Sequence, residues 1–187
     1  MDLIELHELT LASFGSIISH VEQSQWKDAT PCSEWNVYDL MNHVVSENLW
    51  VPPMLAGKTI ADVGDEFEGH VIQHDPIGAY EQSRKLCEEA AQQPGVLDTP
   101  VKVSYGPVPG RVYLGHRIVD LVIHGWDLAK TTKQSTTIRP TIVDDVWEII
   151  NPELSDLQGS GYFGIAQKVS DSADSQTRLL AALGRQA

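Results

Sequence analysis

Asp120 and His124 stand four residues apart in the stretch Gly115-His116-Arg117-Ile118-Val119-Asp120-Leu121-Val122-Ile123-His124-Gly125-Trp126-Asp127-Leu128-Ala129-Lys130. Ile118, Leu121, Val122 and Leu128 recur there at spacings of three, four and seven, which predicts a helix from about Gly115 to Lys130. A helix stacks residues i and i+4, so the carboxylate and the imidazole share a face with Cβ atoms about 5–6 Å apart. Leu121 and Leu128 flank that face, and His116 lies one turn earlier on the same side. An inward-facing Asp and His can bind a metal ion, do acid–base chemistry, or simply satisfy each other.

Adding His43 gives two neutral imidazoles and one carboxylate, a common ligand set for zinc and other divalent transition metals. Three protein ligands leave a position open, as catalytic sites do, for a water or a thiolate whose pKa the ion lowers. His43 is distant in sequence, so spacing alone leaves the metal site and a plain hydrogen-bonded pair both open. The chain has no His-Glu-x-x-His pair, Gly-x-Ser-x-Gly elbow, glycine-rich phosphate loop or Cys-x-x-Cys.

Other residues carry two readings each. Cys32 is a reactive thiol near a helix start or, more simply, a small half-buried hydrophobe, and Cys87 reads as packing. His7 falls on an apolar stripe with Leu11 and Phe14, as a hydrogen-bonded core residue or a group facing the cavity of the other histidines. Trp126 packs or walls that cavity, and Asp127 could orient an imidazole from behind. Tyr105 and Arg111, before the central helix, and His70 and His74 read as surface or loop residues.

The positioning elements read as helices. Ile4, Leu11, Phe14, Ile18 and Val21 predict a first helix from Asp2 to about Val21. Asn36 is a good N-cap, with Asp39 at the third helical position, for a helix from Val37 to about Trp50 that Pro52-Pro53 ends. His43 sits at the edge of its apolar face and Glu47 one turn on. Residues 54–75 read as a long loop with one short helical turn. Asp75-Pro76 starts a helix running to about Ala91. Val101 to Tyr105 alternates and then meets Gly106-Pro107-Val108-Pro109-Gly110, a short hairpin before the central helix.

Beyond the central helix, Thr141–Ile150 reads as a fifth helix, and Asn151–Ser172 as irregular chain around Tyr162-Phe163-Gly164. A short closing helix runs from about Ala173 to Leu183. The expected fold is all-α, a helical bundle in one domain over 1–187, with about 151–187 an irregular C-terminal extension. The charge of −13 argues against nucleic acid and anionic membranes as partners, and two cysteines are too few for a disulfide scaffold. No apolar run approaches the ~18–20 residues of a membrane span, and the N-terminus lacks the pattern of a signal peptide. A cytoplasmic protein, monomer or homodimer, is the expectation.

Thr30-Pro31-Cys32-x-x-Trp35-x-Val37-x-Asp39-Leu40-x-x-His43, Asp120-Leu121-Val122-Ile123-His124-Gly125-Trp126-Asp127-Leu128-Ala129 and Leu179-Leu180-Ala181-Ala182-Leu183-Gly184-Arg185 together resemble the mycothiol-dependent maleylpyruvate isomerase N-terminal family, within the DinB/YfiT-like superfamily. The likeness is to its short actinobacterial subgroup, which lacks the isomerase's separate C-terminal domain. The resemblance implies a DinB-like four-helix bundle with a divalent metal held by His43, Asp120 and His124. Zinc comes first, with nickel, iron or manganese as alternatives. Asp120 departs from the glutamate of the characterised isomerase. The resemblance further implies a metal-dependent transferase or isomerase that uses a low-molecular-weight thiol such as mycothiol on a small electrophile. The competing class is a non-catalytic module that binds a metal or small ligand.

Overall fold

The structure is a computed structural model that describes residues 1–159 and 163–186. Four long helices form its frame: α1 (Leu3–Ile18), α2 (Val37–Leu55), α4 (Pro76–Ala91) and α5 (Gly110–Thr131). Between them lie the short α3 (Ile60–Val63) and an antiparallel hairpin, β1 (Pro100–Val103) with β2 (Gly106–Pro109), paired Val101 to Val108. After α5 come α6 (Pro140–Ile150), α7 (Leu154–Gly159) and α8 (Ser175–Ala182). No helix of the described residues is long and apolar enough to cross a membrane.

The starts are fixed by side chains that accept otherwise orphaned N–H groups. Asp2 caps α1 through the Glu5 amide, and Asp75 caps α4 through that of Gly78. Asn36 and Asp39 cap α2 reciprocally, the capping box that the sequence predicts. Pro52 and Pro53 do not end α2, which runs on to Leu55. Each proline lacks only its own N–H; their carbonyls still accept from Ala56 and Lys58, and the added turn buries Met54 and Leu55.

The bundle packs α2 on α4 and α1 on α5, closed by α1–α4 and α2–α5 contacts. Leu11, Phe14, Leu40, Met41, Val44, Tyr80 and Leu121 lie in its core, and the Tyr80 hydroxyl donates to the Leu11 carbonyl at 2.6 Å. The opposite side of α5 builds a second core. There Ile118, Val122, Ile123 and Trp126 meet Ile142 and Val146 of α6 and Leu179 and Leu180 of α8. Every residue from Arg117 to Ala129 is therefore buried, save the half-buried Asp120. On a helix enclosed on both sides, a buried polar group costs stability unless it is hydrogen-bonded.

α5 begins before Gly115, at Gly110. A Cβ at Gly110 would lie 2.0 Å from the Val96 carbonyl oxygen, so the glycine permits a close approach that the periodicity could not reveal. The stretch after Ile150 is less irregular than expected, because Leu154 and Leu157 pack on the second core and carry a 3₁₀ turn into α7. Of the Tyr162-Phe163-Gly164 stretch, Tyr162 lies outside the described residues.

Candidate metal centre

Three elements deliver the site. His43 comes from the second turn of α2, and Asp120 and His124 come from adjacent turns of α5. The short connection before α2 supplies Cys32 and Trp35. That connection closes on itself: the Thr30 amide donates to the Trp35 carbonyl at 3.0 Å and the Trp35 amide to the Cys32 carbonyl at 3.1 Å. Glu34, at φ 73°, makes the tight reversal. The Trp35 ring then lies 4.7 Å from the His43 ring and 5.7 Å from that of His124, roofing both imidazoles.

The structure brings all three sequence-predicted residues together. His43 Nε2 lies 3.4 Å and His124 Nε2 3.3 Å from the same oxygen, Asp120 Oδ1. The three donor atoms all fall within 4.8 Å of one another. Donors bound about 2.0–2.1 Å from one ion at near-tetrahedral angles sit about 3.3–3.4 Å apart, so these spacings suit a single ion. The second oxygen, Asp120 Oδ2, accepts from Arg117 Nη1 at 3.0 Å, and Arg117 Nη1 also reaches Glu47 Oε2 at 3.1 Å. Asp120 thus offers one oxygen inward while Arg117 holds the other.

Protonation sharpens the fit. His124 Nδ1 faces Asp127 Oδ2 at 3.2 Å, and Asp127 is fully buried, so Nδ1 carries the hydrogen and donates it. On a neutral ring Nε2 then presents a lone pair to the Asp120 carboxylate. Two lone pairs cannot face each other at 3.3 Å without a cation between them, either a proton or a metal ion. A proton there would make His124 an imidazolium. Burial works against a charged His124, but Asp120 and the hydrogen bonds to Asp120, Asp127 and Cys32 hold its pKa well above the usual imidazole value. Burial likewise opposes the Asp120 charge, yet His124, Arg117 and His43 hold its carboxyl well below the usual range. A divalent ion would replace that proton with the donor set already aimed.

Behind His124 lies a second layer that sequence reasoning found only in part. Asp127 orients the imidazole, as its spacing suggests. Arg185, just past α8, donates to Asp127 through Nη2 at 2.7 Å and Nε at 3.2 Å. Cys32, read from the sequence mainly as a small hydrophobe, accepts from Arg185 Nη2 at 3.3 Å and lies 3.8 Å from His124 Nδ1. It is a half-buried thiol against the site because the loop reversal turns it inward. Arg117 stands three residues before Asp120, a spacing that could have flagged it.

Other candidates fall elsewhere. His7 is buried in the core against Cys87, Nε2 to Sγ 3.4 Å, away from the imidazole pair. His116 bonds Glu153 at 2.9 Å and the Tyr105 hydroxyl at 3.1 Å, on the outer side of α5. Arg111 pairs with Asp98, and Trp126 packs in the second core. The site opens to solvent past His43 through a cleft of about 800 Å³ between α2 and the 67–70 loop. Trp35, Trp50 and Phe67 wall it, and Glu34, Asp39 and Glu68 stand along it. His70, read as a loop histidine, lines its far end.

The helical bundle has counterparts among known proteins. The profile of the mycothiol maleylpyruvate isomerase N-terminal domain matches residues 9–129, and the chain belongs to that family. Two Mycobacterium tuberculosis proteins described as uncharacterized, from strains CDC 1551 / Oshkosh and ATCC 25618 / H37Rv, are each 31% identical over 142 residues. Each alignment spans 76% of this chain and 74% of the relative. The crystal structure of a histidine-to-alanine mutant of the mycothiol-dependent maleylpyruvate isomerase superposes with a TM-score of 0.69 at 15% identity, covering 89% of this chain and 74% of that one. The unmutated enzyme gives 0.64 at 14%, over 88% and 74%. These likenesses establish the fold, a DinB-like helical bundle.

Proposed function

We propose that this chain, acting as one domain, is a divalent-metal-dependent enzyme that uses a low-molecular-weight thiol of the mycothiol type on a small electrophile, as a transferase or isomerase. The observation that carries the reading is the convergence of His43 Nε2, Asp120 Oδ1 and His124 Nε2 at spacings one ion can span, beside an open cleft that His43 lines. Family membership and the name of the structurally similar isomerase supply the thiol.

His43, Asp120 and His124 would hold the ion, with zinc the first choice for two imidazoles and a carboxylate. When bound, the ion supplies Lewis acidity that favours the deprotonated form of a thiol presented to it. The remaining work belongs to the chain. Arg117 keeps Asp120 from turning both oxygens inward, and Asp127 keeps the His124 Nε2 lone pair aimed at the ion. Trp35 covers the imidazoles from water, which strengthens charge interactions beneath it. The cleft past His43 would seat the electrophile, whose π bond opens or whose leaving group departs with its electron pair as a thiolate forms the S–C bond.

The test pairs metal content with turnover. Protein purified without chelator should carry close to one ion per chain, and His43→Ala and His124→Ala should carry far less. With mycothiol and a generic electrophile, the metal-loaded protein should form the thiol adduct above the uncatalysed rate. Metal without adduct would favour the binding module. Equal metal in wild type and both variants would remove the reading.

A further inference from the structure

Arg185 lies beyond the segment that the family profile matches, yet its guanidinium reaches the back of the candidate centre. The route is local. α8 ends in a Schellman turn, with the Arg185 amide bonded to the Leu180 carbonyl at 2.8 Å and the Gly184 amide to that of Ala181 at 3.1 Å. Gly184 sits at φ 82°, where a side chain is strained, and a Cβ there would lie 2.5 Å from the Gly164 backbone. The turn reverses the chain and drives Arg185 into the protein, where it is 8% exposed.

Once inside, the guanidinium bonds Asp127, Cys32 and the Leu183 carbonyl. Nε and Nη2 grip the two oxygens of Asp127, Nη2 also donates to Cys32 Sγ, and Nη1 donates to the Leu183 carbonyl at 2.9 Å. These bonds take up four of the five N–H donors of the guanidinium. The two-point grip fixes the plane of the Asp127 carboxylate, and Asp127 Oδ2 in turn fixes Nδ1 of His124. Arg185, Asp127 and His124 thus form one chain of contacts from the C-terminal turn to a candidate ligand.

Resting on the metal reading above, we infer that Arg185 is a positioning residue that couples metal binding to docking of the C-terminal segment. A seated Arg185 pre-aims the His124 Nε2 lone pair and raises metal affinity; by linkage, bound metal holds the α8–Arg185 turn in place by the same factor. Groups that orient a metal-bound histidine from behind typically alter affinity by about 10–100-fold.

The experiment measures zinc affinity by chelator competition, with amide exchange across residues 175–186 in the presence and absence of zinc. Arg185→Gln removes the fork and should weaken zinc about 10–100-fold. Arg185→Lys keeps a charge without the fork and should fall between. Cys32→Ser, which keeps a group able to accept from Arg185, should bind zinc nearly as wild type does. Zinc should slow exchange over 175–186 in the wild type and have little effect in Arg185→Gln. Should Arg185→Gln fail to fold, the graded loss in Arg185→Lys and the wild-type exchange data carry the decision. Unchanged zinc affinity in folded Arg185 variants, or zinc-indifferent exchange of the wild-type segment, overturns the coupling while leaving the metal reading intact. A wild type that binds no zinc overturns both.

Discussion

His7 gives the sharpest quantitative test of which histidines belong to the frame and which to the site. Its ring is fully buried on α1 between neighbouring helices, with Nε2 against Cys87 Sγ. Burial, and then the positive charge of Arg117, push its pKa from 6.5 down to about 3. Folding therefore requires a neutral imidazole, and the unfolded chain takes up a proton that the native one refuses. That stability is complete above pH 6.5 and is lost as pH falls from 6.5 toward about 3. Each pH unit in that window costs about 1.4 kcal/mol, so by pH 5 the loss through His7 alone reaches about 2 kcal/mol. At pH 5 the native ring remains neutral, so the unfolded-state pKa sets this figure. The perturbation is His7→Leu, which removes the titrating group and leaves Cys87 a small apolar neighbour. Urea unfolding at pH 7 and pH 5, with chelator present to remove metal linkage, reads the effect. The wild type should lose about 2 kcal/mol more than the variant between the two pH values, because contributions of the other histidines cancel. A difference below about 0.5 kcal/mol, the usual limit of additivity, would refute the buried neutral imidazole.

Further outcomes follow from the same packing. Arg117→Met strips Asp120 and Glu47 of their shared cation and should cost roughly 3 kcal/mol, toward the lower end for a broken buried pair because Glu47 keeps some solvent; a loss under about 1 kcal/mol by urea unfolding would show that the pairing is not structural. Cys87 is fully buried and its thiol is pushed up to about 12 by burial, so a disulfide exchange reagent should label native protein once, at Cys32, and Cys32→Ser not at all. A chelator should lower the melting temperature of metal-loaded wild type, by the equivalent of about 2.7 kcal/mol when free metal had stood at 100 times Kd, and should leave His124→Ala unmoved.

Much of the frame is legible in the sequence because its signals are local. The apolar stripes of α1, α2 and α4 and the capping residues Asn36 and Asp75 act within one or two turns. α5 is harder to read, because both of its faces are buried and glycines at 110 and 115 permit close approach to Val96 and Ile149 within the helix. Pro52 and Pro53 misled for a related reason: a proline's local preference yields to burial of Met54 and Leu55.

The centre divides in the same way. Asp120 and His124 declare themselves by spacing along one helix, and so does Asp127. His43 completes a ligand set by residue type, but only the family resemblance ties it to residue 120, because nothing in its own helix points there. Cys32, Trp35 and Arg185 reach the site through a loop closed on itself and a Schellman turn, each aimed by contacts far away in sequence. Their chemistry is visible only once those turns are drawn.

The most direct measurement of the central claim is anomalous diffraction from a crystal of metal-loaded protein, collected on both sides of the zinc absorption edge. The account predicts one strong peak between α2 and α5, about 2.0–2.2 Å from His43 Nε2, Asp120 Oδ1 and His124 Nε2, with His124 Nδ1 still donating to Asp127. Loaded crystals with no peak there, or with an ion bound elsewhere while Asp120 and His124 stay directly hydrogen-bonded, would contradict it.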